Sequence, residues 1–180
     1  MQQELDTGKM VNAIRRATGD VFSTMLGMEI TNLEPFRQPC RPEPSDGVIG
    51  LIGLTGQWTG TGGITCSAEL ACKLSGCFLM SEFAAVDQVV LDVMGEITNM
   101  IIGNFKNAME EDAGSMGMSI PMVVFGHNFT AGTTHGADWV VVPFACDGER
   151  LEVRACLSRQ PDRPIRRRLV GSGTDENSRQ

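Results

Sequence analysis

The chain has 180 residues, a formal net charge of −7, 42% hydrophobic and 21% charged residues, a composition that suits one soluble globular domain able to bury a core without staples. Its negative balance offers little to a phosphate backbone, which argues against nucleic acid as a partner. No window reaches the roughly 20 apolar residues of a membrane span, and MQQELDTGKM has neither the basic nor the apolar part of a secretion signal, so a cytoplasmic protein without a membrane segment is expected.

Residues 8–27 place Val11, Ile14, Ala17, Val21, Phe22 and Met25 at helical spacing, with Gly27 as a stop. MEITNLEPF reads as a strand, and the proline-rich segment 37–46 as an exposed loop, because proline cannot continue a ladder. VIGLIGLTGQW and GGITCSAE are strand-like runs that pair across the glycines between them. GQWTGTGG shares only glycine content with a phosphate loop, lacking its Lys and its glycine order, and reads as a hairpin turn.

A helix is predicted from Ser67, as N-cap, through Met80, and a longer one from about Ala85 to Glu110, followed by the loop EEDAGSMGMS. SIPMVVFGHNFT, ADWVVVPFACDG and RLEVRACLSR are three further strand-like runs. From Gln160 periodicity gives way to Pro, Gly and charge, so residues 1–160 are expected to form one domain and 161–180 a loosely ordered tail. The order predicts an α+β fold: an antiparallel sheet packed on one side by long helices, built from two pseudo-duplicated halves.

Six cysteines form no CxxC pair, and with only His127 and His135 available no zinc spacing arises. A Cys–His nucleophile around Cys66, Cys72 or His127 would need a base held beside the thiol, and no spacing suggests one. The cysteines are read as buried structural thiols, and no metal of the chain's own is expected.

The long helix carries a different signal. In DVMGEITNMIIGNFKN, Asp92, Glu96, Asn99 and Gly103 stand four, three and four residues apart, which lines them up on one helical face. Lys106 and Asn107 extend the stripe, while Leu91, Val93, Met94, Ile97, Ile101, Phe105 and Ala108 make the opposite, apolar face. A merely solvated ridge favours long Lys, Glu and Gln side chains. This one centres on a short amide and a glycine, and glycine costs roughly 1 kcal/mol against alanine inside a helix.

Asp92, Glu96 and Asn99 in the order D-x-x-x-E-x-x-N on a long amphipathic helix, followed by Pro121 at the start of a strand, resemble the signature of the CheC/CheX/FliY phosphatases of bacterial chemotaxis. The resemblance covers roughly residues 8–160 and is strongest to the CheX branch, because the first helix, NAIRRATGDVF, has no Glu three residues before an Asn and so offers no second site. It implies dephosphorylation of a CheY-like response regulator. Asn99 would align the attacking water, Glu96 would pair with the regulator's active-site lysine, Asp92 would support docking, Pro121 would shape the edge and Gly103 would let the partner's backbone approach. It also implies Mg²⁺ in the partner rather than in this chain, and a homodimer joined through the sheets, for which DWVVVPFAC at 138–146 is the expected edge strand. Two other readings remain: a non-catalytic flagellar-switch or scaffold module of the same fold, and an unrelated small-molecule enzyme.

Overall fold

A computed structural model describes residues 5–39, 44–130 and 137–159. Three helices are set by their caps. Helix α1, Thr7–Val21, begins where the Asp6 carboxylate accepts the Gly8 and Lys9 amides, continues as a wider π-helical turn over Phe22–Leu26, and stops at Gly27, whose left-handed φ of 62° a glycine adopts without cost. In α2, Ala68–Leu79, the Ser67 hydroxyl accepts the Leu70 amide at 3.0 Å, as its sequence position predicted. The Asp87 carboxylate does the same for Val90 at the start of α3, Gln88–Ala113.

Eight strands, β1 Thr31–Asn32, β2 Phe36–Gln38, β3 Pro44–Gly56, β4 Trp58–Cys66, β5 Met116–Met118, β6 Met122–Thr130, β7 Trp139–Cys146 and β8 Glu149–Arg159, form one sheet in the order β1-β7-β8-β4-β3-β5. Strand β2 also pairs with β7 and β6 with β3, and every pairing is antiparallel. The order reads alike from both ends. Each half sends a helix and two strands across to the other half's hairpin: β1 and β2 join β7, while β5 and β6 join β3. The Leu33 amide donates to Pro143 O where the Ser119 amide donates to Gly53 O, and Pro35 and Pro121 precede the second exchanged strand of each half. The expected duplication is thus present as an exchange of strands.

Helices α1 and α3 lie against each other on one face of the sheet. The core between them and the strands holds Ile14, Phe22, Val48, Ile52, Ile64, Ile97, Ile101, Phe105, Val142 and Val153. Two strand glycines set how deep α3 sits. A methyl group on Gly50 would collide with the Thr98 hydroxyl, and one on Gly62 would come within 2.8 Å of Ile102. Thr98 is fully buried at this contact, and its hydroxyl donates to Met94 O at 2.6 Å, so no polar group is left wanting.

Several local expectations are corrected. MEITNLEPF is interrupted at Pro35 and supplies only the short β1 and β2, and the expected loop 37–46 gives β2 its end and β3 its start at Pro44, the first strand position, where a missing donor is tolerated. The turn in GQWTGTGG narrows to Gly56–Trp58, with its later glycines inside β4. Helix α3 runs on to Ala113, and β5 occupies part of the expected loop. Ala108 is exposed rather than on the apolar face. Strand β7 is not an edge, since β8 flanks it on one side and β1 and β2 on the other. The 161–180 tail lies outside the described residues.

Glycines 50, 62 and 103 should respond oppositely to an added methyl group. Gly50→Ala and Gly62→Ala are expected to overpack the helix–sheet contact and lower stability by about 1–3 kcal/mol each. Gly103→Ala meets only Met118 at 3.8 Å and should raise stability by up to about 1 kcal/mol. Denaturant unfolding of the three variants measures both signs.

Candidate functional site

Seating α3 in the glycine trough turns its polar ridge outward. Asp92 and Glu96 are exposed, and Asn99 and Gly103 are half-buried. Gln88 Nε2 donates to Asp92 Oδ1 at 2.7 Å, which steers that carboxylate along the helix. The side chains of Glu96 and Asn99 make no hydrogen bond or ion pair to another described residue. An acceptor-only carboxylate and a donor-acceptor amide therefore stand one turn apart with their bonding capacity unused.

Pro121 reaches the ridge from the sheet side. A methyl group on Gly95 would touch Pro121 at 3.6 Å and Val123 at 3.5 Å, so the helix and the β6 entry are in packing contact there. Asp92, Glu96 and Pro121 line one groove, closed on its other side by Phe78 and Leu79 at the end of α2. Asn99 and Gly103 continue the same helix face beyond that groove, and Gly103 lies beside Met118 without crowding it. Nothing among the described residues requires a glycine at 103.

Two parts of the site are not evident from sequence. Ser119 clamps the segment that carries Pro121: its Oγ accepts the Gly53 amide at 2.9 Å and donates to Ile120 O at 2.9 Å, while its own amide donates to Gly53 O at 2.9 Å. Lys106, on the ridge by spacing, turns away from it. Its Nζ donates to Glu110 Oε1 at 2.7 Å and to Met116 O at 3.1 Å, tying the last turns of α3 to β5. The Lys106 ammonium and then the Met116 amide hold the Glu110 carboxyl below the ordinary carboxylate range.

The related face of α1 does not repeat the ridge. Counted back from the terminal glycines Gly27 and Gly114, Asn12 takes the place of Asn99, but Lys9 takes the place of Glu96 and Arg16 that of Gly103. The buried positions Met10, Val11, Ile14, Thr18 and Phe22 match Ile97, Thr98, Ile101, Phe105 and Met109 in this count. Lys9 is engaged with Asp112 of α3 at 2.6 Å. With the charge inverted and tied to a neighbouring carboxylate, α1 presents no second copy of the Asp92–Glu96–Asn99 set.

The cysteine chemistry weighed from sequence does not assemble. Cys66 is buried, and burial above all pushes its thiol up to about 12, with Cys72 and Glu149 adding to the effect. It is not a thiolate at neutral pH. His127 is exposed and lies 3.7 Å from Asp46. Among the described residues no group of three or more His, Cys, Asp or Glu side chains could hold a metal ion, and His135 lies outside those residues.

The family model for the chemotaxis phosphatase CheX matches residues 48–145, which include α3, β6 and the groove between them. The chain belongs to the CheX family. Among solved structures, the chemotaxis protein CheX from Vibrio vulnificus superposes with a TM-score of 0.74 at 26% identity, covering 83% of this chain and 99% of that one. A CheC-like superfamily protein from Shewanella sp. PV-4 gives a TM-score of 0.72 at 26% identity, covering 83% and 97%. A CheX from Borrelia burgdorferi, solved as a CheX–CheY–BeF₃–Mg²⁺ complex, shares the fold with a TM-score of 0.67 at 23% identity, covering 83% and 98%. Among curated proteins no sequence relative matches.

The Glu110 tie gives this CheX-family chain a pH signature. A carboxyl whose pKa is lower in the folded than in the unfolded chain adds stability above the ordinary carboxylate pKa, and that stability is lost as pH falls through the folded value. The stability difference between wild type and Glu110→Gln should therefore be steady from pH 8 to pH 6 and shrink below about pH 4.5, as read by denaturant midpoints at each pH.

Proposed function

We propose that this chain hydrolyses the phosphoaspartate of a CheY-like response regulator in the cytoplasm, with Asn99 as the group that orients the attacking water. The observation that carries this reading is the pair Glu96 and Asn99, one turn apart on a long helix, whose side chains have no partner among the described residues. Both side chains are open to solvent, so their hydrogen bonds can pass from water to a partner.

The chemistry asks little of the catalyst. The substrate is an acyl phosphate, so a carboxylate leaves when the P–O bond to the aspartate breaks, and no strong general acid is required. Water oxygen forms the new bond to phosphorus in line with the departing carboxylate, and the water's proton ends on the released phosphate or in solvent. Such loose transition states are accelerated mainly by positioning and charge stabilisation. The Asn99 carbonyl oxygen accepts a hydrogen bond from that water, and its NH₂ donates to a phosphoryl oxygen, which fixes the line of attack without a conventional base.

Glu96, about one turn nearer the groove, pairs with the regulator's active-site lysine and clears it from the water's path. Asp92 extends the acidic docking face, Pro121 forms its edge, and Gly103 lets the partner's backbone lie against the helix. Charge neutralisation on the phosphoryl group comes from Mg²⁺ held by the regulator, as the composition of the Borrelia complex suggests for that relative.

Asn99→Ala should leave regulator binding nearly unchanged and slow dephosphorylation by a factor on the order of 10² or more, the scale of a lost positioning group. Glu96→Ala should also weaken binding and make the remainder less sensitive to salt, because an exposed ion pair is screened by added ions. Phosphate release from a phosphorylated receiver domain, followed with binding measured in parallel, separates the two effects. An unchanged receiver lifetime with Asn99→Ala, in a complex shown to form, leaves a scaffold module as the reading.

The chain is also proposed to act as a homodimer, with β6 as the joining strand in place of β7. Among the described residues β6 pairs only with β3, which leaves its outer edge unpaired, and Met122 and Phe125 along it are exposed. Light scattering at micromolar concentration should give twice the chain mass, and the monomer mass would refute the pairing.

A further inference from the structure

The groove beside the ridge has a composition that its two carboxylates do not account for. It is walled by Phe78, Leu79, Val89, Val93, Pro121 and Val123, and among the described residues that line it none is Lys or Arg. Large apolar side chains stand in water in and beside it: Val89 and Leu79 of its lining are 45% and 41% exposed, and Ile120, next in sequence to the lining residue Pro121, is 88% exposed. A concentration of this kind on a soluble chain marks a contact surface. Val89 stands three residues before Asp92 and seven before Glu96, so the ridge that ends in Asn99 begins with an exposed apolar residue on the same helix face.

Rigidity on both sides makes the surface a preformed one. Val89 sits in the first turn of α3, where the Asp87 cap bonds the Val90 amide. Ile120 is held through the Ser119 clamp on Gly53, with its own carbonyl accepting the Ser119 hydroxyl. A partner gains from burying these side chains without first having to order them.

We propose that this groove selects the partner: it receives an apolar side chain of the phosphorylated receiver domain lying next to a basic one, with the apolar group against Leu79, Val89 and Ile120 and the basic group against Asp92 and Glu96. The proposal rests on the receiver-phosphatase reading and adds the recognition that precedes chemistry. Charge complementarity argues for the basic component, since two exposed carboxylates about 6 Å apart along the helix have no cation on the walls around them. The exposed Val89 and Ile120 argue for the apolar one. Specificity is thereby separated from turnover: the apolar border sets which receiver is held, and Asn99 sets how fast the held receiver is hydrolysed.

The test uses the full chain and its partner receiver domain, with Val89→Ser and Ile120→Ser made singly and together. Both sites are exposed, so the folded state is retained, which thermal unfolding checks. The expected result is a rise of about tenfold in Kd for the beryllofluoride-loaded receiver and a matching rise in KM, with kcat within about twofold of wild type, the pattern of lost uniform binding. The salt dependence of binding should be unchanged in the double variant, because no charge is removed. Kd and KM within twofold of wild type, in a protein that still shortens the receiver's phosphorylated lifetime, would overturn this proposal and leave the phosphatase reading standing. A wild-type chain that shortens no receiver's lifetime would remove both.

Discussion

Everything functional in this fold depends on how closely α3 can approach the sheet. Gly50 and Gly62 remove the two side chains that would keep the helix away, and Thr98 and Ile102 occupy the space. Contacts of this sort are unforgiving, since close-packed interiors have no slack for an extra methylene. The helix is thereby fixed in height and rotation, and its outward face has a defined position relative to the β6 entry at Pro121.

The strand exchange between the halves reinforces that placement. Strands β5 and β6 follow α3 in sequence and pair with β3, the strand that carries Gly50. The helix is thus held from beneath by β3 and from its C-terminal end by the strands it leads into, with Lys106, Glu110 and Met116 joined at the corner. On the pseudo-symmetric side, α1 has an equivalent bed on β7 and β8, but Lys9 and Arg16 replace the acid and the glycine. One architecture has therefore produced two helix faces, and only α3 combines acid, amide and glycine.

The sequence was most legible where a short-range rule applies. The helical period of α3 placed Asp92, Glu96, Asn99 and Gly103 on one face, and the Ser67 cap and the Gly27 stop followed from local backbone chemistry. The order of helices and strands gave the fold class. It did not give the pairing, because nothing in the periodicity of DWVVVPFAC tells whether β1 and β2 will cover its outer side. Strand β5 was missed because three residues with two methionines and a glycine carry no alternation to detect. Ser119 was missed because its role comes from Gly53, far away in sequence, and Gly50 was read as one more residue of a strand run and Gly62 as part of a turn, when the use of both is close packing.

In the function proposed for this chain, Asn99, delivered by the seated helix, reaches the phosphorylated aspartate of a receiver domain. The most direct test is a crystal structure of this chain with its receiver domain held in the activated state by beryllofluoride and Mg²⁺. The Asn99 side-chain amide is expected within hydrogen-bonding distance, about 3 Å, of a fluorine or of a water in line with the aspartate–beryllium bond. A complex in which α3 faces solvent and the receiver sits on another surface would contradict it.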